Sequence, residues 1–169
     1  PELERRFGES FDDALLELQE LIVGTGVGDG TVFVHDATLS VDGLIGDKVR
    51  IGSTEANGTV TFNGGATGFF DVDLIVNLNE DGYGELNVLE GSTLEVHAPA
   101  FVGRSNVDAR PAAALLRVDG EGSVLSMTAT TDLEVGGDEP GPEALLDVTN
   151  AASLITAENV SVLIDVAGR

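Results

Sequence analysis

The sequence predicts an all-β fold, a parallel β-helix (β-solenoid) of about five to six three-stranded coils with a short N-terminal capping α-helix. Three observations support this prediction. Short segments of alternating apolar and polar residues recur every 25–33 residues, which is typical of stacked repeats. Each period holds three such segments. Corners rich in Gly, Asn, Asp and Ser separate the segments. An antiparallel sandwich is the competing fold, but its inward positions need not recur in three registers.

The N-terminal residues differ from the rest, and we divide the chain into an N-terminal segment, 1–20, and a repeat region, 21–169. In the N-terminal segment, apolar residues recur at helical spacing with acidic residues between them; the apolar ones are Phe7, Phe11, Leu15 and Leu18. Ser10 and Asp13 resemble a capping box. We therefore expect one amphipathic helix over 10–19 that covers the first coil. Binding of a partner by this helix is the alternative.

From Leu21 onward the apolar residues alternate with a period of two and align in three registers. The first register comprises Leu21/Val23, Val49/Ile51, Leu74/Val76, Ala100/Val102, Leu133/Val135 and Val160/Val162. The second comprises Val32/Val34, Val60/Phe62, Leu86/Val88, Leu116/Val118 and Leu146/Val148. The third comprises Leu39/Val41, Leu94/Val96, Leu125/Met127 and Ile155/Ala157, with Leu154 and Ile155 ambiguous by one position. The alternation of the third register is unclear around residues 68–70. We expect these side chains to point inward and to stack from coil to coil.

Two further expectations concern the last coils. Asp147 should lie above Arg117 of the preceding coil, as an exposed ion pair worth at most about 1 kcal/mol. Residues 158–166 begin another coil without a visible cap. Because an uncovered coil end exposes unpaired backbone groups, we expect either self-association through this C-terminal coil or a longer parent chain.

The composition limits the partners. The chain has 8 Lys and Arg residues against 30 Asp and Glu residues, a formal net charge of −22. Such a surface disfavours nucleic acid and anionic lipid, because phosphates are bound by cationic side chains. No apolar run is long enough to span a membrane, and the absence of cysteine excludes disulfides and thiolate metal sites. We expect no nucleic-acid binding and no membrane insertion.

The motifs that suggest cofactors are incomplete. The glycine-rich segment 24–30 lacks the spacing of a nucleotide-binding loop and precedes a β-branched segment rather than a helix. The acidic glycine loops at 79–82, 119–122 and 136–139 offer oxygen ligands for calcium, yet none follows a known calcium-loop spacing. We therefore expect no cofactor and leave calcium binding open.

The titratable residues give little support for catalysis. His35 and His97 belong to different corners and different coils, so neither a shared zinc site nor a Ser-His-Asp triad is expected. Asp71 and Asp73 come closest to a paired-carboxylate motif, but no matching carboxylate follows one coil later. We predict that the protein is not an enzyme.

The candidate recognition site lies in two long loops between first and second strands, 104–114 and 137–143. Both loops interrupt the repeat at the same corner, so they should protrude from one edge of the solenoid, where repeat proteins often bind. The candidate recognition residues are Arg104, Asn106, Asp108, Arg110, Asp138 and Glu139. Ordinary variation in loop length is the alternative explanation.

The segment 132–136 (DLEVG), followed by 146–154, resembles the β-helix repeats of bacterial autotransporter passengers and related adhesins. The likeness covers 73–157 and, more loosely, 21–72. It implies a secreted or cell-surface scaffold with a structural, adhesive or assembly role and with a protein or a glycan on a surface as its partner. It implies no catalytic residue. The alternative function is a carbohydrate-binding or carbohydrate-active β-helix that uses the edge formed by the two long loops.

Overall fold

The computed structural model describes residues 14–24, 26, 28–53, 55–77, 82–103, 112–127, 132–136, 144–156 and 162–164. Within these ranges the chain forms 17 β-strands. They are β1 (Ala14–Leu18), β2 (Leu21–Val23), β3 (Gly30–His35), β4 (Ala37–Val41), β5 (Lys48–Ile51), β6 (Asn57–Asn63), β7 (Thr67–Phe70), β8 (Asp73–Val76), β9 (Tyr83–Leu89), β10 (Thr93–Val96), β11 (Ala100–Val102), β12 (Ala114–Asp119), β13 (Val124–Met127), β14 (Leu133–Val135), β15 (Ala144–Thr149), β16 (Ser153–Thr156) and β17 (Val162–Ile164).

The strands form three parallel sheets, and the chain visits the three sheets in turn. The first sheet contains β1, β4, β7, β10, β13 and β16; the second contains β2, β5, β8, β11, β14 and β17; the third contains β3, β6, β9, β12 and β15. The fold is therefore the predicted parallel β-solenoid. The predicted number of coils is slightly too high, because the five strands of the third sheet are separated by only four turns.

The inward side chains form aliphatic ladders that run from coil to coil. The second register is confirmed throughout: Val32, Val60, Leu86, Leu116 and Leu146 occupy equivalent positions on the strands of the third sheet. Inward residues of the central coils are almost completely buried. Burying one such side chain stabilises a fold by about 1.5–3 kcal/mol, so these ladders hold the coils together.

One coil departs from the ladder pattern at Gly68. This residue pairs in register with Leu39 and Leu94 of the neighbouring coils, so it occupies a position that leucine fills elsewhere. A Cβ atom on Gly68 would lie 2.8 Å from the ring of Phe62 and 2.6 Å from the side chain of Leu94. The Phe62 ring thus fills volume that a leucine side chain fills in the adjacent coils, which explains the blurred third register.

Residues with positive φ follow β2, β5, β8, β11 and β14 of the second sheet and stack at one corner. Its glycines, with φ between 71° and 98°, are Gly24, Gly52, Gly103 and Gly136. Asn77 takes the equivalent place in one coil with φ 57°, a conformation that Asn tolerates better than other non-glycine residues. Its buried Nδ2 donates hydrogen bonds to the carbonyl oxygens of Gly82, at 2.7 Å, and Ala113, at 2.8 Å. The Asn77 side chain thereby ties together backbone segments of two coils.

The predicted helix over 10–19 is wrong for the residues that the structure describes. Residues 14–18 form β1, which pairs in parallel with β4, while residues 10–13 lie outside the described ranges. Leu16 and Leu18 pair in register with ladder residues of β4 and continue the inward ladder of the first sheet. Leu15, which the helical spacing groups with Leu18, lies on the outer face and is 60% exposed. A single short helix is marginal without packing, whereas β1 gains backbone hydrogen bonds along the edge of β4.

The last coil resolves one ambiguous register and corrects another. Of the two candidates Leu154 and Ile155, Ile155 lies on the outer face and is 53% exposed, while Ala157 lies outside the described ranges. Leu154 takes the inward position instead. In the second sheet, Val162 and Ile164 pair with the ladder residues of β14, two residues later than the prediction. Consecutive apolar residues do not show which one faces the core, and a one-residue shift exchanges the two faces.

Candidate recognition surface

The outer face of the third sheet is polar over most of its width. Side chains alternate along each strand, so equivalent outward residues stack in rows across the sheet. One row consists of Phe33, Thr61, Asn87, Arg117 and Asp147. Neighbouring strands are about 4.8 Å apart, so this row is about 19 Å long. We define the polar face as this row together with His35, Asn63, Glu85 and Asp119.

One end of the polar face combines an exposed aromatic ring with a chain of hydrogen bonds. Phe33 is 61% exposed, and its ring stacks beside that of His35 with the centroids 6.1 Å apart. Asn63 Nδ2 donates to Glu90 Oε2 at 3.4 Å. Asn63 Oδ1 is therefore the acceptor for His35 Nδ1, at 2.6 Å. These hydrogen bonds join three successive coils, so the side chains are ordered without a ligand.

The centre of the polar face is Asn87, which points outward but is only 6% exposed. Its Nδ2 donates to Glu85 Oε1 at 2.8 Å and to Thr61 Oγ1 at 3.4 Å. The carboxylate can only accept, which fixes the orientation of the amide. The carbonyl oxygen of Asn87 is buried and accepts no hydrogen bond from the residues that the structure describes. An unsatisfied buried acceptor costs about 1–3 kcal/mol, so the fold retains Asn87 at a cost in stability.

Arg117 brings positive charge to the polar face. Its Nε donates to Asp147 Oδ2 at 3.2 Å across adjacent coils, and this confirms the predicted stacking of the two residues. Both side chains are partly exposed, so the pair is worth at most about 1 kcal/mol.

Burial raises the pKa of Tyr83, and Glu85 raises it further, whereas Arg117 lowers it. Arg117 therefore acts electrostatically on neighbours from more than one coil.

Asp119 marks the corner where the polar face meets the first sheet. Its Oδ1 accepts hydrogen bonds from Asn150 Nδ2 at 2.7 Å and from Thr149 Oγ1 at 3.0 Å. The hydrogen bond from Asn150, followed by that from Thr149, lowers the pKa of Asp119 below that of an ordinary aspartate. Both donors belong to the next coil, so the ionisation of Asp119 is coupled to the stacking of the last described coils.

The six recognition residues predicted from the sequence lie outside the described ranges; they are Arg104, Asn106, Asp108, Arg110, Asp138 and Glu139. Their role therefore stays a prediction. The structure does describe the base of the longer loop, where Ala112 N donates to the carbonyl oxygen of Gly103 at 2.8 Å. This hydrogen bond brings the two ends of the loop together. The loops precede β12 and β15, so their ends adjoin the sheet that carries the polar face.

Alternation between the inward pairs of the second register predicts that Thr61, Asn87 and Arg117 point outward, but none of them is among the six predicted recognition residues. The structure confirms that they point outward and adds their hydrogen bonds. The register is the signal that could have found them. Once the inward pairs are aligned, the residues between them fall into a single row. Neither the burial of Asn87 nor the cross-coil hydrogen bonds can be derived from alternation alone.

The other titratable candidates lie on separate faces. His35 ends β3 in the third sheet, whereas His97 follows β10 of the first sheet and hydrogen-bonds to Asp71 of the preceding coil. Asp73 instead begins β8 of the second sheet, where its register partner is Lys48. Among the described residues, no three His, Asp or Glu side chains cluster as a metal site would require. Likewise, no helix in the described part of the chain has the length and apolar character needed to cross a membrane.

Comparison with known proteins gives no family assignment for this chain. No protein family, no curated protein sequence and no solved structure matches it. The function therefore has to be argued from the solenoid and from the side chains on its outer faces.

Proposed function

We propose that this protein is a secreted or cell-surface β-helix scaffold with a structural, adhesive or assembly role and without catalytic activity. The observation that carries the proposal is the continuity of the stack: the three sheets run through successive coils and bury their inward side chains. Stability in such a solenoid comes from contacts between neighbouring repeats. The result is a rod that presents outward side chains at regular spacing. The resemblance of the repeat pattern to autotransporter passengers and adhesins is the argument for a location outside the cell.

The proposed partner is a protein or a glycan on a surface. The net charge of −22 favours solubility and disfavours binding to phosphate-rich polymers. Self-association is a second route to assembly, because Leu145 and Ile155 in the last described coils are 47% and 53% exposed.

Location and assembly need separate experiments. Antibodies raised against the chain should label intact cells that produce the protein. Labelling that appears only after permeabilisation would contradict the extracellular location. Sedimentation velocity over a range of concentrations tests assembly, and the adhesion of protein-coated beads to cells tests the adhesive role. A strict monomer whose beads adhere no better than uncoated ones would overturn both roles.

Carbohydrate binding at the edge formed by 104–114 and 137–143 is the second candidate function. Its supporting observation is that these loops precede β12 and β15, the two strands that contribute Arg117, Asp119 and Asp147 to the polar face. A glycan array tests this function. We expect selective binding that disappears when residues 104–111 are replaced by a short Gly-Ser linker. Binding that survives this replacement would contradict the role of the longer loop.

A further inference from the structure

We propose that the polar face itself binds a neutral glycan chain, which lies across the strands of the third sheet. The inference rests on the second candidate function, carbohydrate binding, and assigns it a surface and a class of ligand. Phe33 would contact the apolar face of one sugar ring. Side chains of the following coils would bind the hydroxyl groups of the next sugars.

The aromatic residue is the first argument. Phe33 points outward from β3, is 61% exposed and lies beside His35 in a nearly parallel arrangement, with an interplanar angle of 20°. Exposing a phenyl ring in water is unfavourable, and a flat apolar ring with a polar neighbour suits ligands that have one apolar face and polar edges. A pyranose ring has this chemistry, since its axial C–H groups form an apolar face and its hydroxyl groups surround it.

The hydrogen-bonding groups beyond Phe33 are the second argument. Hydrogen bonds hold the His35–Asn63–Glu90 chain and the Thr61–Asn87–Glu85 cluster. All of them join different coils except the bond between Asn87 and Glu85, which lies within β9. Side chains that are already ordered lose little entropy when a ligand binds.

The charge of the face selects the class of glycan. Glu85, Glu90 and Asp119 flank the row. Asp147 belongs to the row, and Arg117 is already paired with it. Anionic sugars would meet this excess of carboxylates and the net charge of −22, which repel them. A cationic polymer would bind anywhere on such an acidic surface and needs no ordered row. Neutral hydroxyl groups, by contrast, satisfy carboxylate and amide acceptors without a charge penalty.

The spacing of the row suits a chain rather than a single sugar. Outward residues from successive strands follow one another at about 4.8 Å, which is close to the length of one hexose unit in an extended glycan. A chain laid across the strands therefore meets an equivalent position in every coil.

The inference is tested by titrating the full chain with cellohexaose, mannohexaose and maltohexaose. Isothermal titration calorimetry and saturation-transfer NMR measure the binding. We expect one of these neutral hexasaccharides to bind, and Phe33→Ala to weaken its affinity at least about tenfold. Phe33→Tyr should retain most of the affinity. The matched control is Phe69→Ala, which removes an outward aromatic ring from the first sheet and should change the affinity by less than about twofold. Unchanged circular dichroism spectra establish that the variants fold.

The possible outcomes separate the inference from the function on which it rests. Loss of binding in Phe33→Ala but not in Phe69→Ala supports the polar face. If binding survives Phe33→Ala but disappears when residues 104–111 are replaced, the glycan binds at the loops, and the proposal that the polar face binds it is wrong. If no neutral hexasaccharide binds, the inference fails, and a silent glycan array would remove carbohydrate binding as well. Equal affinity for an oligomer of uronic acids would overturn the neutral class.

Discussion

The Phe62 ring fills the space beside Gly68 that a leucine side chain fills in the adjacent coils, and this packing leads to a quantitative prediction about the core. Gly68→Ala should destabilise the protein, although alanine is normally better than glycine inside a strand by roughly 0.5–1 kcal/mol. The new Cβ would lie 2.6 Å from Leu94 and 2.8 Å from the Phe62 ring, whereas carbon atoms pack best at about 3.5–4.0 Å. Both neighbours must therefore move by about 1 Å. Overpacking of this kind costs about 1–3 kcal/mol, so we expect a net loss of about 1–2 kcal/mol.

A double-mutant cycle shows whether the Phe62 ring is the cause. Phe62→Leu alone should cost about 1–2 kcal/mol, because it leaves a small cavity. In the double variant, the alanine at position 68 has room where the ring was. The combined loss should then be smaller than the sum of the single losses by about 1 kcal/mol.

Urea unfolding followed by circular dichroism measures these free energies, with an unchanged m-value as the sign that the unfolded state is unaltered. Leu133→Val is the control partner for Gly68→Ala, because its strand, β14, pairs with neither β6 nor β7. This pair should be additive within about 0.5 kcal/mol. A stabilised Gly68→Ala variant, or strict additivity between positions 62 and 68, would refute the volume argument.

Three further predictions concern polar residues. Tyr83 is the only tyrosine and the chain has no tryptophan, so the absorbance of its phenolate reports its pKa directly. Glu85→Gln should lower the pKa of Tyr83, and Arg117→Gln should raise it. Shifts of the same sign in both variants would contradict the assigned electrostatic causes. Asn77→Gly removes the side-chain hydrogen bonds and should lower the free energy of unfolding, measured with urea, by about 1–3 kcal/mol. Asn77→Ala should lower it by about 1 kcal/mol more, because alanine is strained at the positive φ of this position. Equal losses in the two variants would show that backbone strain makes no contribution. An NMR titration should give Asp119 a pKa below that of an ordinary aspartate. Its contribution to stability is therefore present at neutral pH and disappears as the pH falls through that lowered pKa. An ordinary or raised pKa would contradict this.

The fold could be predicted from the sequence where inward residues are isolated by polar neighbours. In β6 polar residues flank each inward residue, and the predicted pair Val60/Phe62 matches the structure. The prediction fails where apolar residues are adjacent. Leu154 and Ile155 both suit the core, and only pairing with β13 decides between them. The leucines of β1 fit either a helix or a strand, and the edge of β4 decides in favour of the strand.

The candidate site was less predictable than the fold, for a physical reason. Alternation specifies which residues point outward, but a recognition surface also depends on which outward residues touch across coils. The hydrogen bond between His35 and Asn63 joins residues 28 positions apart in the chain. Predicting it requires the register of two strands, the rotamers of both side chains and the tautomer of the histidine. Long loops, by contrast, interrupt the repeat and are therefore visible in the sequence.

Strand alternation separates stability from recognition in this protein. Phe62 and Phe33 belong to neighbouring strands of the same sheet, yet the first is completely buried and the second is 61% exposed. Phe62→Leu should therefore lower the free energy of unfolding without removing any group from the polar face. Phe33→Ala should alter binding while the unfolding midpoint stays nearly constant, because surface substitutions usually change stability by less than about 0.5 kcal/mol. If Phe33→Ala destabilised the chain as much as Phe62→Leu, Phe33 would have to be part of the packed structure, and its exposure would no longer support a binding role.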